Sequence, residues 1–269
     1  MTDPRARLHA AAHSDVGPHR TINQDAAFTA PWGAAVADGV GGGPAGDLAS
    51  ATLVHCIAAG RPDGLQPEQL QTMVRLANWD LRAAVERDPS LSGMATTFTG
   101  LFVSDRGELL LAHTGDSRAY RLRDGLLQQQ SRDDSFVQAL VDQGIVSIEE
   151  AVTHPRRNII TASLSGADRD AANVVVLEAR VGDRWLLCSD GLTDYVPVED
   201  IRARLQDHAD PAAAAAGCVA IALEAGTRDN VTAVVCDVVV PDAWSGGGRP
   251  QASFYGAAAE RFMEELDSA

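Results

Sequence analysis

The sequence predicts an α+β fold, a four-layer α-β-β-α sandwich in which two antiparallel sheets are flanked by helix pairs. Short runs rich in Val and Leu and bounded by turn residues are typical of core strands, and here they come in groups. Helical patterns come in consecutive pairs between those groups. Because strands and helices do not alternate regularly, the pattern favours layered α+β packing over a doubly wound parallel sheet.

The first half of the chain supplies two groups of strands with a helix pair between them. In order, the predicted elements are strands around 8–14 and 26–38, helices at 44–59 and 67–87, and strands at 96–103, 108–114 and 117–122. In the second helix, Leu70, Val74 and Leu81 recur at helical spacing. Asp124-Gly125 predicts a hairpin turn, because both residues tolerate positive φ.

The second half continues with a helix at 136–143, a short helix opening at 149–150, strands at 173–177 and 184–189, helices at 198–205 and 211–225, and a strand at 231–240. We therefore expect one catalytic domain over residues 5–241. The Gly-rich stretch 245–250 is typical of a flexible linker, so residues 242–269 are predicted to be a linker and a short C-terminal tail. Phe262, Met263 and Leu266 permit a docked amphipathic helix, and a frayed tail is the simpler expectation.

Composition restricts the classes of function. The chain has 269 residues, 45% hydrophobic and 22% charged, and a formal net charge of −15, which is ordinary for a globular domain apart from its acidity. The acidity argues against nucleic acid as a partner, because that needs a basic face. It also argues against docking on anionic membranes. An acidic surface suits metal cations and basic stretches of a protein partner.

Four cysteines lie far apart at Cys56, Cys188, Cys218 and Cys236, without C-x-x-C spacing. That spacing disfavours zinc and predicts buried reduced thiols. The N-terminal residues carry no hydrophobic leader pattern, and the longest apolar helical run, 212–225, is too short to span a bilayer. We therefore expect a cytoplasmic protein with no membrane association.

Four apolar runs end on, or begin just after, an aspartate: Asp38, Asp116, Asp190 and Asp229. A carboxylate at the end of a core strand is held at the rim of the fold, and several together repel one another unless a cation lies between them. Any one of them alone is more simply a turn residue, since Asp-Gly is a common turn signal. The set of four favours a metal site built from oxygen ligands.

Further segments complete an ordered series of motifs. The series runs R-x-x-N-x-D at 20–25, D-G-x-G-G from Asp38, T-T at 96–97, G-D-S-R at 115–118, S-D-G-L at 189–192 and R-D-N at 228–230. In this order it resembles the metal-dependent protein phosphatase family of the 2C type (PPM), in a bacterial form. The resemblance extends from Asp15 to Val240.

The resemblance implies hydrolysis of phosphoserine and phosphothreonine in proteins by a metal-activated water, with two or three Mn²⁺ or Mg²⁺ ions. Under it, Asp38 bridges the first two metals and the Gly39 carbonyl oxygen binds the second. Asp190 and Asp229 complete the first metal, while Asp116 shares a third metal with Asp190.

The same resemblance assigns three residues around the ions. Arg20 grips the substrate phosphate, and its planar fork suits two phosphate oxygens. Asp25 and Asn230 support the site from behind. The implied partners are phosphorylated proteins, among them a serine/threonine kinase or its targets.

The chain also departs from the family pattern. Gln24 stands where many relatives have Glu, which predicts a weaker second metal site. Val40, Gly43 and Asp134 replace histidines found in other members. His19 and His154 are candidate replacements, although a loop histidine is more simply a surface residue. The resemblance places a variable flap beside the site, at about residues 133–166, where we expect substrate choice to be determined.

Two alternative functions remain open on the sequence. A phosphatase-like regulatory module would bind phosphoproteins with little turnover, and its expected mark is loss of Asp38, Asp190 or Asp229. All three are present. A metal-dependent phosphohydrolase of small molecules would share the aspartates but not the whole order of motifs.

Overall fold

A computed structural model of the chain describes residues 6–40, 45–60, 64–240 and 251–261. Two antiparallel sheets lie face to face in this part of the chain, and helices cover both outer faces. The four-layer α+β sandwich predicted from the sequence is confirmed.

The first sheet has five strands, in the order β1-β10-β9-β6-β7. Its strands are β1 (Arg7–Asp15), β6 (Arg118–Arg123), β7 (Leu126–Gln129), β9 (Arg184–Cys188) and β10 (Val231–Val239). The β6–β7 turn is Asp124-Gly125, with φ of 51° and 81°, as the hairpin signal predicts.

The second sheet has six strands, in the order β11-β2-β3-β4-β5-β8. They are β2 (Asp25–Ala30), β3 (Gly33–Asp38), β4 (Phe98–Val103), β5 (Leu109–Thr114), β8 (Asn173–Leu177) and β11 (Ser253–Gly256). The prediction of one strand over 26–38 is wrong, because a two-residue turn at Pro31-Trp32 folds it into the β2–β3 hairpin, in which Ala30 pairs with Gly33.

The helices are α1 (Gly46–Ala59), α2 (Pro67–Arg87), α3 (Phe136–Asp142), α4 (Ile148–Val152), α5 (Asp190–Thr193), α6 (Val198–Asp207) and α7 (Pro211–Glu224), with a 3₁₀ turn at Pro89–Leu91. The α1/α2 pair covers the six-stranded sheet, and α6/α7 cover the other. No helix in the described ranges is long and apolar enough to cross a membrane.

Alternation along the strands explains the layers. In β3, Ala34 and Val36 face the core between the sheets, while Ala35 and Ala37 face α1. In β10, Val234 likewise faces the inner core and its neighbours face α7. Because side chains alternate sides along a strand, a strand buried on both faces is apolar throughout. These runs therefore predicted strands without showing which face was inner.

Residues 251–261, the described part of the C-terminal segment, do not form the frayed tail expected from the sequence. Residues Ser253–Gly256 form β11 and pair with β2 in antiparallel register, and the side chains of Ala257 and Ala258 are buried. The Phe254 ring lies 4.1 Å from the His55 ring of α1, centroid to centroid. The linker at 245–250 and the apolar positions from Phe262 onward lie outside the described residues.

Candidate active site

The strand-end aspartates line one cavity of about 300 Å³ at an edge of the sandwich. Six of the eight residues singled out from the sequence border it: Arg20, Asp38, Gly39, Asp116, Asp190 and Asp229. The other two, Asp25 and Asn230, are buried next to them. The structure thus brings together groups that are separated by up to about two hundred residues in the sequence.

Asp38 is the last residue of β3, and threonines at the start of β4 fix its backbone. Its N–H donates to Thr97 Oγ1 at 3.0 Å, and its carbonyl oxygen accepts from Thr97 N at 2.8 Å and from Thr96 Oγ1 at 2.9 Å. With its backbone groups satisfied in this way, the carboxylate is left to project into the cavity. Gly39 follows and lies against Gly46, where a Cβ would be 2.5 Å from the Gly46 backbone.

Asp190 opens α5 directly after β9. Gly191 lets this turn approach β10, because a Cβ there would lie 1.9 Å from the Asn230 carbonyl oxygen. The preceding Ser189 donates its hydroxyl to Asp25 Oδ2 at 2.7 Å and accepts from Thr232 N at 3.0 Å. Asp25 thus lies beneath the cavity and joins β2 to β9 and β10.

Asp116 follows β5 after a tight backbone turn at Gly115, where φ is +104° and a Cβ would lie 2.6 Å from the Thr97 side chain. The Gly115 N–H donates to Asp134 Oδ2 at 3.1 Å, and the Gly115 carbonyl accepts from Asp134 N at 2.7 Å. Asp134 therefore fixes the loop that holds Asp116.

Arg20 and Asp229 form an ion pair at the rim of the cavity. Arg20 Nη2 lies 2.7 Å from Asp229 Oδ2, and Arg20 Nε donates to the Arg228 carbonyl at 3.3 Å. Both side chains are about one-third exposed, at 38% and 35%. An ion pair this accessible to water contributes little to stability, so the guanidinium can exchange partners readily.

Asn230 holds the loop that carries Arg20. Its amide nitrogen donates to the carbonyls of Val16 and Ile22 at 2.9 and 3.0 Å, and its oxygen accepts from Gln24 N at 2.8 Å. One buried amide thus satisfies three backbone groups of the loop, which is why it lies behind the cavity and not in it.

Burial and crowding keep these carboxyl groups from ionising easily. Burial, and then the Asp25 and Asp190 carboxylates, raise the pKa of Asp38 well above its usual range. Burial, and then Asp116, do the same for the pKa of Asp190. Burial raises the pKa of Asp116 to about 7 and that of Asp25 to about 6. A cation placed among them would reverse this, because it stabilises the ionised forms.

The donor atoms fit a hard divalent cation. Asp190 Oδ1 is buried and accepts no hydrogen bond from the described residues, so one oxygen lacks the partner that a buried carboxylate needs. In the described ranges, no three His, Cys, Asp or Glu side chains already converge into a closed ligand set. Carboxylates spread around an open cavity suit Mg²⁺ or Mn²⁺, which take oxygen ligands and keep bound waters.

Three contributors to the site were given no role from the sequence. Thr97 and Ser189 hold Asp38 and Asp25 by hydrogen bonds, and Asn158 of the flap lines the cavity. Thr97 and Ser189 belong to the T-T and S-D-G-L motifs, which mark their positions but not these contacts. Asn158 lies in the flap, where local sequence carries little sign of its role.

The candidate histidines lie elsewhere. His19 is exposed, and His154 accepts from Arg156 N at 3.1 Å and lies 6.1 Å from the Phe136 ring. Neither borders the cavity, whereas Gln24 and Val40 do. Gly43 lies outside the described residues. The cysteines show no disulfide: Cys188, Cys218 and Cys236 are buried thiols and Cys56 is half-buried.

Comparison with known proteins identifies the family. The model of the family described as "Protein phosphatase 2C" matches residues 18–224. The chain belongs to the protein phosphatase 2C family. It is 44% identical over 236 residues to the serine/threonine protein phosphatase PstP of Mycobacterium tuberculosis. It is 31% identical over 209 residues to the serine/threonine phosphatase stp of Listeria monocytogenes, covering 75% of this chain and 82% of that one.

Solved structures of the 2C family agree in fold. The crystal structure of the M. tuberculosis phosphatase PstP superposes with a TM-score of 0.82 at 42% identity, over 87% of this chain and 99% of that one. The PstP catalytic domain in complex with two manganese ions superposes with a TM-score of 0.79 at 41% identity, with the same coverage. The match to full-length PstP covers 86% of this chain but only 45% of the relative, so the chain spans about half of that protein.

Proposed function

We propose that this chain hydrolyses phosphoserine and phosphothreonine in proteins, using two or three Mn²⁺ or Mg²⁺ ions. The observation that carries the proposal is the convergence of Asp38, Asp116, Asp190 and Asp229 on one cavity with Arg20 at its rim. Membership of the 2C family and the manganese ions bound by the PstP catalytic domain support it.

The proposed ligands follow from the placement of the side chains. Asp38 and the Gly39 carbonyl would hold two ions between them, with Asp190 and Asp229 completing the first. Asp116 and Asp190 also border the neighbouring space beneath the flap, and that placement suits a third ion. When bound, such ions lower the pKa of water and neutralise charge on a phosphoryl group.

Arg20 would orient the phosphate. Its guanidinium is held at the rim by Asp229 and the Arg228 carbonyl, so it is already directed at the cavity mouth. With Asp229 engaged as a metal ligand, the guanidinium would be free to donate two parallel hydrogen bonds to phosphate oxygens. Asp25 and Asn230 hold β2, β10 and the Arg20 loop in fixed positions around the Arg20 guanidinium.

The reaction balances without a protein nucleophile. A water oxygen forms a bond to phosphorus in line as the bond to the seryl or threonyl oxygen breaks. The leaving oxygen takes a proton and becomes a hydroxyl, and inorganic phosphate is released. Val40 offers no proton at the position next to Gly39, so we assign protonation of the leaving group to water.

A regulatory module that binds phosphoproteins without turnover is the second candidate. That reading expects a loss among the three core aspartates, and all three line the cavity. Substrates among protein kinases or their targets, and a cytoplasmic location, stay predictions from family analogy and composition.

The deciding test measures phosphate release from a phosphothreonine peptide, with Mn²⁺ either added or removed by a chelator. We expect turnover only with metal. A folded wild-type protein that shows no metal-dependent release would refute the enzyme proposal. Binding of Mn²⁺ measured by calorimetry in wild type and in Asp38→Asn then tests the ligand assignment without reference to turnover, and the variant should bind at least one ion fewer.

A further inference from the structure

A second cavity of about 210 Å³ lies beneath the flap, which we define as residues 133–166. Its apolar wall comes from the facing sides of α3 and α4, at Val137, Val141, Ile148, Ala151 and Val152. We call this cavity with its apolar wall the flap cleft. The site residues described above do not explain why α3 and α4 present an apolar wall to this cavity.

The flap also exposes aliphatic side chains. Ile145, Ile148 and Val152 are 61%, 70% and 68% exposed, and Ile159 is 48% exposed. Single exposed aliphatic residues are normal on a protein surface. A cluster within one short segment, with Ile148 and Val152 one helical turn apart beside a cleft, is typical of a binding surface.

The flap cleft adjoins the candidate active site. Asp116, Asn158 and Asp190 border both cavities. The flap base is fixed at this boundary, since Asp134 exchanges two hydrogen bonds with Gly115. A polypeptide whose phosphorylated residue enters the first cavity can therefore place a nearby side chain in the second.

The flap cleft also has a polar wall, which includes Asp116, Asp133, Asp190 and Asp194, and its two arginines are already paired. Arg118 donates through Nε and Nη2 to Asp133 at 2.9 and 2.6 Å. Arg157 Nε lies 3.5 Å from Asp194 Oδ2. Both guanidinium groups are thus paired with carboxylates, so neither is presented as a free cation to an acidic side chain or to a second phosphate.

We propose that the flap cleft takes an apolar side chain of the substrate, within a few residues of the phosphorylated serine or threonine. This inference rests on the proposed phosphatase function and deepens it. The preferred substrates are phosphorylated segments with Leu, Ile, Val or Met near the phosphoresidue. An apolar pocket that fits one aliphatic side chain supports a preference of about 10-fold.

The test compares phosphothreonine peptides in which Leu, Ala, Glu or Lys is placed in turn at each position from four residues before to four residues after the phosphoresidue. We expect kcat/KM to be about 10-fold higher for Leu than for Ala at one or two positions, mainly through KM. A profile that is flat for Leu at every position overturns the proposal.

Variants then locate the preference. In Ile148→Glu and Val152→Glu, the Leu-to-Ala ratio of kcat/KM should fall to about 1. The matched control is Val181→Glu, a 57% exposed valine that borders neither cavity, and it should keep the wild-type ratio. If the flap variants keep the ratio, the flap cleft does not bind the side chain and the proposal fails.

Two further readouts keep the outcomes distinct. Para-nitrophenyl phosphate carries no flanking residues, so it reports phosphatase activity without the flap cleft. If wild type releases phosphate from neither this compound nor the phosphothreonine peptides, the phosphatase proposal is refuted and the flap cleft is not. In that case fluorescence anisotropy of the Leu and Ala peptides tests the cleft by binding alone. Sedimentation of Ile148→Glu detects a change in oligomeric state, and such a change would assign the cleft to a second copy and overturn the proposal.

Discussion

Replacing Gly191 by alanine adds only one methyl group but should distort the candidate site. A Cβ there would lie 1.9 Å from the Asn230 carbonyl oxygen, whereas ordinary contact begins near 3.4 Å. The backbone at Asn230 or at Asp190 must therefore move by about 1.5 Å. Asp190 precedes Gly191 and Asp229 precedes Asn230, and both aspartates are proposed metal ligands. One added methyl group should therefore shift the Asp190 carboxylate relative to that of Asp229.

The expected loss in kcat/KM is about 10²-fold, since a shift of about 1 Å in a catalytic group has that effect. Overpacking of about 1–3 kcal/mol should lower the melting temperature by roughly 2–10 °C. Calorimetric melting and steady-state assays with a phosphothreonine peptide measure both. Gly217→Ala, inside α7, is the matched control, because alanine favours a helix there and the nearest atom to its Cβ belongs to the His208 side chain, at 3.1 Å, and not to backbone. Wild-type melting and turnover in Gly191→Ala would refute the reasoning.

Three further changes follow from the same structure. Asp38→Asn should reduce hydrolysis at least about 10³-fold. In the presence of chelator the same variant should have a higher melting temperature than wild type, because one of the crowded carboxylates is removed. A lower melting temperature would contradict the assigned repulsion. Without metal, the pKa of Asp25 is raised to about 6 in the folded protein, so its contribution to stability is present below pH about 4 and is lost as the pH rises through about 6. At pH 8, with chelator, Asp25→Asn should therefore be more stable than wild type by up to about 3 kcal/mol. Equal stability at pH 8 in urea titrations would show that Asp25 does not carry this cost. Removing residues 251–269 should lower the free energy of unfolding by on the order of 2 kcal/mol, because the surface of β2 and α1 that this segment covers becomes exposed. Unchanged urea midpoints would show that this segment adds no stability.

The positions of the aspartates could be predicted because each sits where a local pattern changes. A buried run that stops at a carboxylate locates the end of a strand, and strand ends meet at the rim of a sandwich. Asp38 and Asp190 follow this rule directly. Their burial and mutual repulsion follow from the same placement, since the strands that carry them are central in their sheets.

Other features depend on contacts that no local pattern records. The turn at Pro31-Trp32 lies inside a continuous apolar run, so the pattern joins β2 to β3. The Ser189 hydroxyl reaches Asp25 across 164 positions of sequence. The flap cleft arises from the way α3 faces α4, which the amphipathic pattern of two short helices does not determine.

The strand contributed by residues Ser253–Gly256 also determines when the six-stranded sheet is complete. It is the last of the described strands and pairs with the second, β2. Until it arrives during synthesis, β2 forms the edge of the sheet and presents unpaired N–H and C=O groups, which can template association with other chains. The nascent protein therefore has a nearly finished sandwich with an open edge until residues Ser253–Gly256 have been made. A chain interrupted before β11 would keep that edge, and self-association would be its characteristic failure.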